Sequence, residues 1–277
     1  MKMTIRAVRI RVNTLEGAYG RTIKLGPGFN IITGGNARGK SQIVLGIIYA
    51  LGMERMLKAR TNNPMGSALT TEIQTSDGDE SVALEVKTSW VAVEMENEAG
   101  EVMTVQRYAR HPRFDRNLVY VWPGPALTDA ALGLAPDQMF LHLPGSASRE
   151  YGFHHRLTEF LRWDLPVVTT YRGELTKLYP DVIFPFLIVD QQSWGSTGPR
   201  KVDRYQIRES IRKSVEFLAG FSGPGTEIRR AELDQAMSHL RTRWATQLGA
   251  VESLASSIGG RIVGLPSWGG SCPRTKF

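Results

Sequence analysis

The stretch FNIITGGNARGKSQIVLGIIYALG, residues 29–52, decides how the rest of this chain is read. Phe29 to Thr33 form a short apolar run suited to a strand in a sheet interior. Gly34-Gly35-Asn36-Ala37-Arg38-Gly39-Lys40-Ser41 then fits G-x-x-x-x-G-K-[ST] at every required position. Ile43, Ile47, Tyr49, Ala50 and Leu51 follow densely enough for a helix buried on most sides. The chemistry explains the spacing. Glycines let successive backbone N–H groups turn inward around phosphate oxygens, where a Cβ would obstruct the approach. Lys40 brings a point charge to the β and γ phosphates, and the Ser41 hydroxyl suits Mg²⁺. The helix that begins here adds its positive N-terminal end. Gln42 completes the stretch, so residues Gly34, Gly35, Asn36, Ala37, Arg38, Gly39, Lys40, Ser41 and Gln42 are expected to hold ATP with Mg²⁺.

Upstream, MTIRAVRIRV and RTIKL alternate as strands separated by a turn at EGAYG. Downstream, residues 60–79 are polar and rich in Thr, Ser and Gly, which predicts a surface loop. SVALEVKTSWVAVEMENEAGEVMTVQRY then alternates in two or three runs with a hairpin turn at EAGE. That places an antiparallel β layer beside the nucleotide-type unit, an α/β core with an added sheet. REYGFHHRLTEFLRW reads as a helix, DVIFPFLIVDQQ as an apolar strand interrupted by Pro185, and residues 203–221 as a second helix. From Thr226, Leu233, Met237, Leu240, Trp244, Gln247, Val251, Leu254 and Ile258 are spaced by alternating fours and threes. Such a seam suits a coiled-coil arm that needs a partner helix, or an amphipathic helix lying on the core. The expected organisation is a lobe over 1–222, the start of an arm over 223–260, and a Gly- and Pro-rich tail over 261–277.

Composition sets the outer limits. With 277 residues and 42% apolar content the chain can bury one large core or two modest ones. It has no apolar run of membrane-spanning length, and its basic N-terminus alternates rather than forming a signal-peptide core, so a cytoplasmic location is expected. One cysteine, Cys272, excludes an internal disulfide and a cysteine zinc cluster. A formal charge of +7 favours an anionic partner. Over residues 200–213 six basic groups face two acidic ones. Arg204, Arg208 and Arg212 recur there every four residues, a spacing that makes either a phosphate-binding stripe or a solvated helix face. In QRYARHPRFDRNLVYVW, arginines alternate with Tyr108, Phe114, Tyr120 and Trp122, which suits either single-stranded nucleic acid or an ordinary strand with packed rings. His154 and His155 are adjacent and cannot chelate one ion together from a helix.

A strand GxN-apolar-apolar, then G-x-N-x-x-GKS, then a helix closing on YALG resembles the N-terminal lobe of SMC/Rad50/RecN-type ABC ATPase heads. The resemblance is specific over residues 1–55 and rests on element order beyond them. Ala37-Arg38 depart from the small residues usual in the loop, and the turn from Asn13 to Gly20 lacks an arginine that some such heads place near the nucleotide. The resemblance implies a P-loop NTPase half-head that couples ATP to DNA-associated work, in repair, tethering or defence against foreign DNA. It implies a complementary C-terminal half-head or a second copy as partner, with DNA as a further partner and no membrane. It also bears on Asp190 and the glutamines beside it. From the residues alone, Asp190 could end a Walker B strand, Gln191 could sense Mg²⁺ and the attacking water, or the segment could be a plain buried strand. The family order favours a Q-loop; it does not choose between Gln191 and Gln192, and Gln191 is taken as the catalytic and metal-facing residue. Nothing in the chain matches a signature motif or a convincing Walker B. Two other functions stay open: a self-contained P-loop kinase using Asp190, and an ATP-binding module that does not hydrolyse.

Overall fold

The computed structural model describes residues 3–35, 39–57, 64–77, 80–129, 135–143, 149–189, 199, 201–221 and 226–261. In chain order the elements are β1 (Met3–Asn13), β2 (Ala18–Lys24), α1 (Lys40–Ala50), α2 (Ser67–Thr70), β3 (Glu72–Asp77), β4 (Glu80–Glu85), β5 (Thr88–Asn97) and β6 (Val102–Arg110). There follow β7 (Leu118–Trp122), β8 (Asp137–Phe140), α3 (Phe153–Phe160), β9 (Val167–Thr169), β10 (Leu175–Lys177), α4 (Pro180–Ile183), α5 (Ser210–Leu218) and α6 (Thr226–Ser257).

Alternation along β1, β5, β6 and β7 builds the frame. They join β2 and β8 in a six-stranded sheet of order β2-β1-β5-β6-β7-β8, every neighbouring pair antiparallel. Val8 faces Val93, Ile5 faces Met95, Met95 faces Met103 and Val105 faces Val121, so one face is a continuous apolar surface. The helix α1 packs on this face against β5, β1 and β6, burying Ile43, Gly46, Ile48, Tyr49 and Ala50. The hairpin between β5 and β6 turns at Gly100, as EAGE predicts. The observed class is mixed α/β with a mostly antiparallel sheet and a long C-terminal helix.

Several local expectations are overturned. Phe29 to Gly35 pair with no strand among the described residues, and Phe29 and Ile31 are 89% and 71% exposed. Strand residues need a ladder partner for their backbone groups, and β1 is already flanked by β2 and β5. Asn30 instead closes a local turn, accepting from the Gly26 N–H at 2.9 Å and donating to the carbonyls of Gly26 and Gly28. Within residues 60–79 the loop reading holds only in part, because Glu72–Asp77 forms a ribbon with Glu80–Glu85. The DVIFPF segment is not a strand: Pro180 opens a helical turn and Pro185 sits in a following 3₁₀ turn, with Val182, Ile183 and Phe184 buried. Asp190, Gln191 and Gln192 lie outside the described residues.

The helix expected from Asp203 begins only at Ser210, after Glu209 adopts a left-handed conformation with φ 53°. Its burial is also inverted. Ser210, Lys213, Ser214 and Phe217 face inward while Ile211 and Val215 are exposed, because Ser214 donates to the carbonyl of Val182 and Phe217 packs edge-on against Trp163. The stripe therefore does not form as a helix face. Arg204 and Arg208 precede the helix, and Arg212 pairs with Glu209 and Glu216 at 3.4 and 2.7 Å. The helix α6 runs for 32 residues, about 48 Å. Leu233, Met237, Leu240, Val251 and Leu254 are exposed along it, so the seam is not laid on the core.

Candidate phosphate-binding site

Gly39 sits at φ 81°, ψ 12°, and from it α1 starts at Lys40. Only glycine takes this conformation without strain, which accounts for the second fixed glycine of the motif. The first turn of α1 holds no acidic residue and no side-chain cap. Its leading N–H groups, which a helix cannot pair internally, therefore point their donors and positive end toward the loop. Lys40 curls back over the same loop: Nζ donates to the carbonyls of Gly34 and Gly35 at 2.6 and 2.7 Å. An ammonium has three donors, so one remains for an anion at the loop mouth. Ser41 is exposed beside it. Gln42, expected at the ligand, accepts from the Gly66 N–H at 3.2 Å through its amide oxygen, which ties the loop side of α1 to the segment before α2. Asn36, Ala37 and Arg38 lie outside the described residues.

These residues fit a nucleotide phosphate. A positive-φ glycine, an uncapped helix start without acids and a lysine held over the loop gather N–H donors and positive charge at one place. Among the described residues no three His, Cys, Asp or Glu side chains converge as metal ligands; the Ser41 hydroxyl, exposed beside Lys40, is an oxygen suited to Mg²⁺.

The opposite end of α1 is anchored by a buried polar cluster that sequence patterning passed over. Gly52, at φ 72°, ends the helix: its N–H donates to the Tyr49 carbonyl at 3.0 Å and that of Met53 to the Ile48 carbonyl at 2.9 Å. Arg107 donates to the Tyr49 carbonyl at 2.7 Å, lies 4.1 Å over the Tyr49 ring, and pairs bidentately with Glu54 at 2.8 and 2.9 Å. Both partners are buried. His142 Nε2 meets Glu54 Oε1 at 2.7 Å, and His154 Nε2 meets the Leu51 carbonyl at 3.2 Å. A cation and a donor thus satisfy the helix C-terminus. Asp181, also buried, accepts from the Tyr205 hydroxyl at 2.6 Å while its Oδ1 stands 3.7 Å from His154 Nδ1 without a hydrogen bond.

Electrostatics follow from this arrangement. Burial pushes the Glu54 carboxyl up, but the Arg107 charge and the bond from His142 outweigh it and hold the group at about 2. Burial lowers His154, with Asp181 opposing, so the imidazole is neutral at pH 7. Burial, and then the Asp181 charge, raise the Tyr205 hydroxyl well above its ordinary value. One signal in the sequence points to the cluster. Arg107 occupies an inward register between Val105 and Ala109, and an arginine there requires a buried acid.

No family model matches the chain, and no curated protein matches it. A solved structure described as "Structural biochemistry of ATP-driven dimerization and DNA stimulated activation of SMC ATPases" aligns at 21% identity. The alignment covers 43% of this chain and 68% of that one, with a TM-score of 0.27. An SMC ATPase is thus a weak structural neighbour, and at that score the likeness does not establish a shared fold.

Proposed function

We propose that this chain is the ATP-binding N-terminal lobe of an SMC/Rad50-like ATPase, completed for hydrolysis by a C-terminal half-head. The observation that carries the proposal is the loop–helix junction at Gly39: a P-loop sequence, a left-handed glycine, an uncapped helix start and a lysine bridging the loop carbonyls. Lys40 takes the β and γ phosphates, the α1 N–H groups hold the remaining oxygens, and Ser41 orients Mg²⁺. Bound Mg²⁺ supplies neutralisation of phosphate charge. Gln191 would place the attacking water from beyond the described residues, while the base and signature loop come from the complementing lobe. Anchoring α1 through Arg107 and His154 keeps its N-terminus fixed while the ligand exchanges.

Two surfaces support incompleteness. A cavity of about 450 Å³ between α1 and the start of β1 is lined by Met3, Ile5, Val44, Ile47, Trp163 and Leu218 among others, and the Phe29–Gly35 run pairs with no strand among the described residues. Apolar surface of this kind suits a second lobe that adds strands beside residues 29–33. The exposed seam of α6 suits a coiled-coil partner helix. On this account residues 1–222 form the lobe and 223–260 start the arm that transmits the ATP state to DNA. The test is turnover of Mg-ATP by the purified chain, alone and with Asp190→Asn. Negligible turnover in both supports a lobe awaiting its complement. Robust turnover that Asp190→Asn abolishes would instead make the chain a self-contained NTPase.

A further inference from the structure

The outer face of the sheet, away from α1, carries a row of rings that the phosphate loop does not use. Register places Arg11, Trp90 and Tyr108 side by side across β1, β5 and β6, with Tyr120 and Trp122 on the same face of β7. The loop between β6 and β7 folds His111 and Phe114 over Tyr108, and the rings form an unbroken series. Centroids lie 4.3 Å apart for His111–Phe114, 5.5 Å for Tyr108–Phe114, 6.0 Å for Tyr108–Tyr120 and 6.4 Å for Tyr120–Trp122. The far end of this face is closed by residues 123–129, where Glu94 accepts from the backbone of Leu127 and Thr128. The end bearing Phe114 is open, and Phe114 is 42% exposed.

Charge complements the rings. Arg11, Arg113 and Arg116 are exposed, and among the described residues none of their side chains forms an ion pair. The acid of the loop, Asp115, accepts from the Asn117 N–H at 2.6 Å. Flat apolar faces bordered by free guanidinium groups suit unpaired bases on a phosphate backbone; a duplex, whose bases are already stacked, could use only the charges. We propose that this face binds single-stranded nucleic acid, with the exposed Phe114 ring and the neighbouring Tyr120 as stacking surfaces, Tyr108 supporting Phe114 from beneath, and Arg11, Arg113 and Arg116 as phosphate contacts.

The experiment is anisotropy of a labelled oligothymidine of about 20 nucleotides with the full chain, at about 50 and about 200 mM salt. An abasic oligomer, an oligouridine and a duplex of equal length serve as comparisons. Phe114→Ala and Phe114→Leu each weaken oligothymidine by at least about fivefold and leave the abasic oligomer unchanged, because only ring stacking is lost. Arg113→Glu with Arg116→Glu weakens both by at least about tenfold. Thermal melts of each variant confirm the fold, and Lys40→Ala changes none of these affinities, which separates this face from the phosphate loop. Oligouridine bound as tightly as oligothymidine extends the site to RNA. Duplex bound as tightly as single strand, a Phe114 effect of less than about twofold, or no binding at about 50 mM salt would overturn the proposal.

Discussion

Replacing Glu54 by Gln would strand a guanidinium inside the core. Arg107 is fully buried and pairs with both carboxylate oxygens at 2.8 and 2.9 Å, so Glu54→Gln removes the charge while keeping the volume. The amide of Gln also turns a donor toward Arg107, and His142 loses its carboxylate partner. Breaking a buried pair from one side costs about 3–5 kcal/mol. The carboxyl held at about 2, against an ordinary 4.5, gives a similar figure of about 3 kcal/mol. Removing both charges is a different perturbation. In Glu54→Met with Arg107→Met the buried charge pair disappears, and the loss reduces to the hydrogen bonds from Arg107 to the carbonyls of Tyr49 and Arg116 and the one between His142 and Glu54, about 1.5–3 kcal/mol together. Urea denaturation at pH 7 followed by far-UV circular dichroism measures both. The expected order is a single variant destabilised by about 3–5 kcal/mol and a double variant destabilised by less, about 1.5–3 kcal/mol. A single variant within about 1 kcal/mol of the parent, or a double variant as unstable as the single, would refute the assignment of this pair as a buried anchor.

Two further outcomes follow from the same cluster and from the end of α1. Stability should fall with acid in two windows. His154, whose folded value is lowered, adds stability above its ordinary 6.5 that is lost as pH drops below it, and His154→Gln should flatten that part of the profile. Glu54, also lowered in the fold, adds stability above its ordinary 4.5 that is lost as pH falls toward about 2, and Glu54→Gln should flatten that lower part; thermal melts between pH 8 and pH 3 read both slopes. Gly52→Ala should cost about 2–4 kcal/mol, because φ 72° is strained for alanine and its Cβ would lie 2.5 Å from Leu141 Cδ2 and 2.9 Å from His154 Nε2. A melting temperature unchanged in Gly52→Ala would show that the helix end relaxes freely.

Where a residue's role depends on period or on a local backbone demand, the sequence made it legible. Alternation found β1, β2, β5 and β6, and the glycine–lysine spacing found the helix start. Where the role depends on a partner far along the chain, it did not. Phe29 to Thr33 have strand composition but pair with no strand among the described residues. The basic period of Arg204, Arg208 and Arg212 needed a helix that starts too late, since Val202 and Ile207 are buried in an irregular segment ahead of it. The inverted face of α5 has the same origin: Ser214 is drawn inward by a carbonyl on α4, a contact that no window of the sequence contains. Burial of Glu54, His142 and Asp181 is likewise a product of tertiary pairing, because none of them carries a pattern of its own.

The central claim is that Gly34 to Ser41 hold the phosphates of ATP. Calorimetric titration of Mg-ATP into the purified chain, with Lys40→Ala beside it, tests this most directly. The account predicts saturable binding of one nucleotide per chain, weakened at least about tenfold in Lys40→Ala while the melting behaviour of the free protein is unchanged. Equal affinity in the two proteins, or no heat of binding in a folded parent chain, would contradict it.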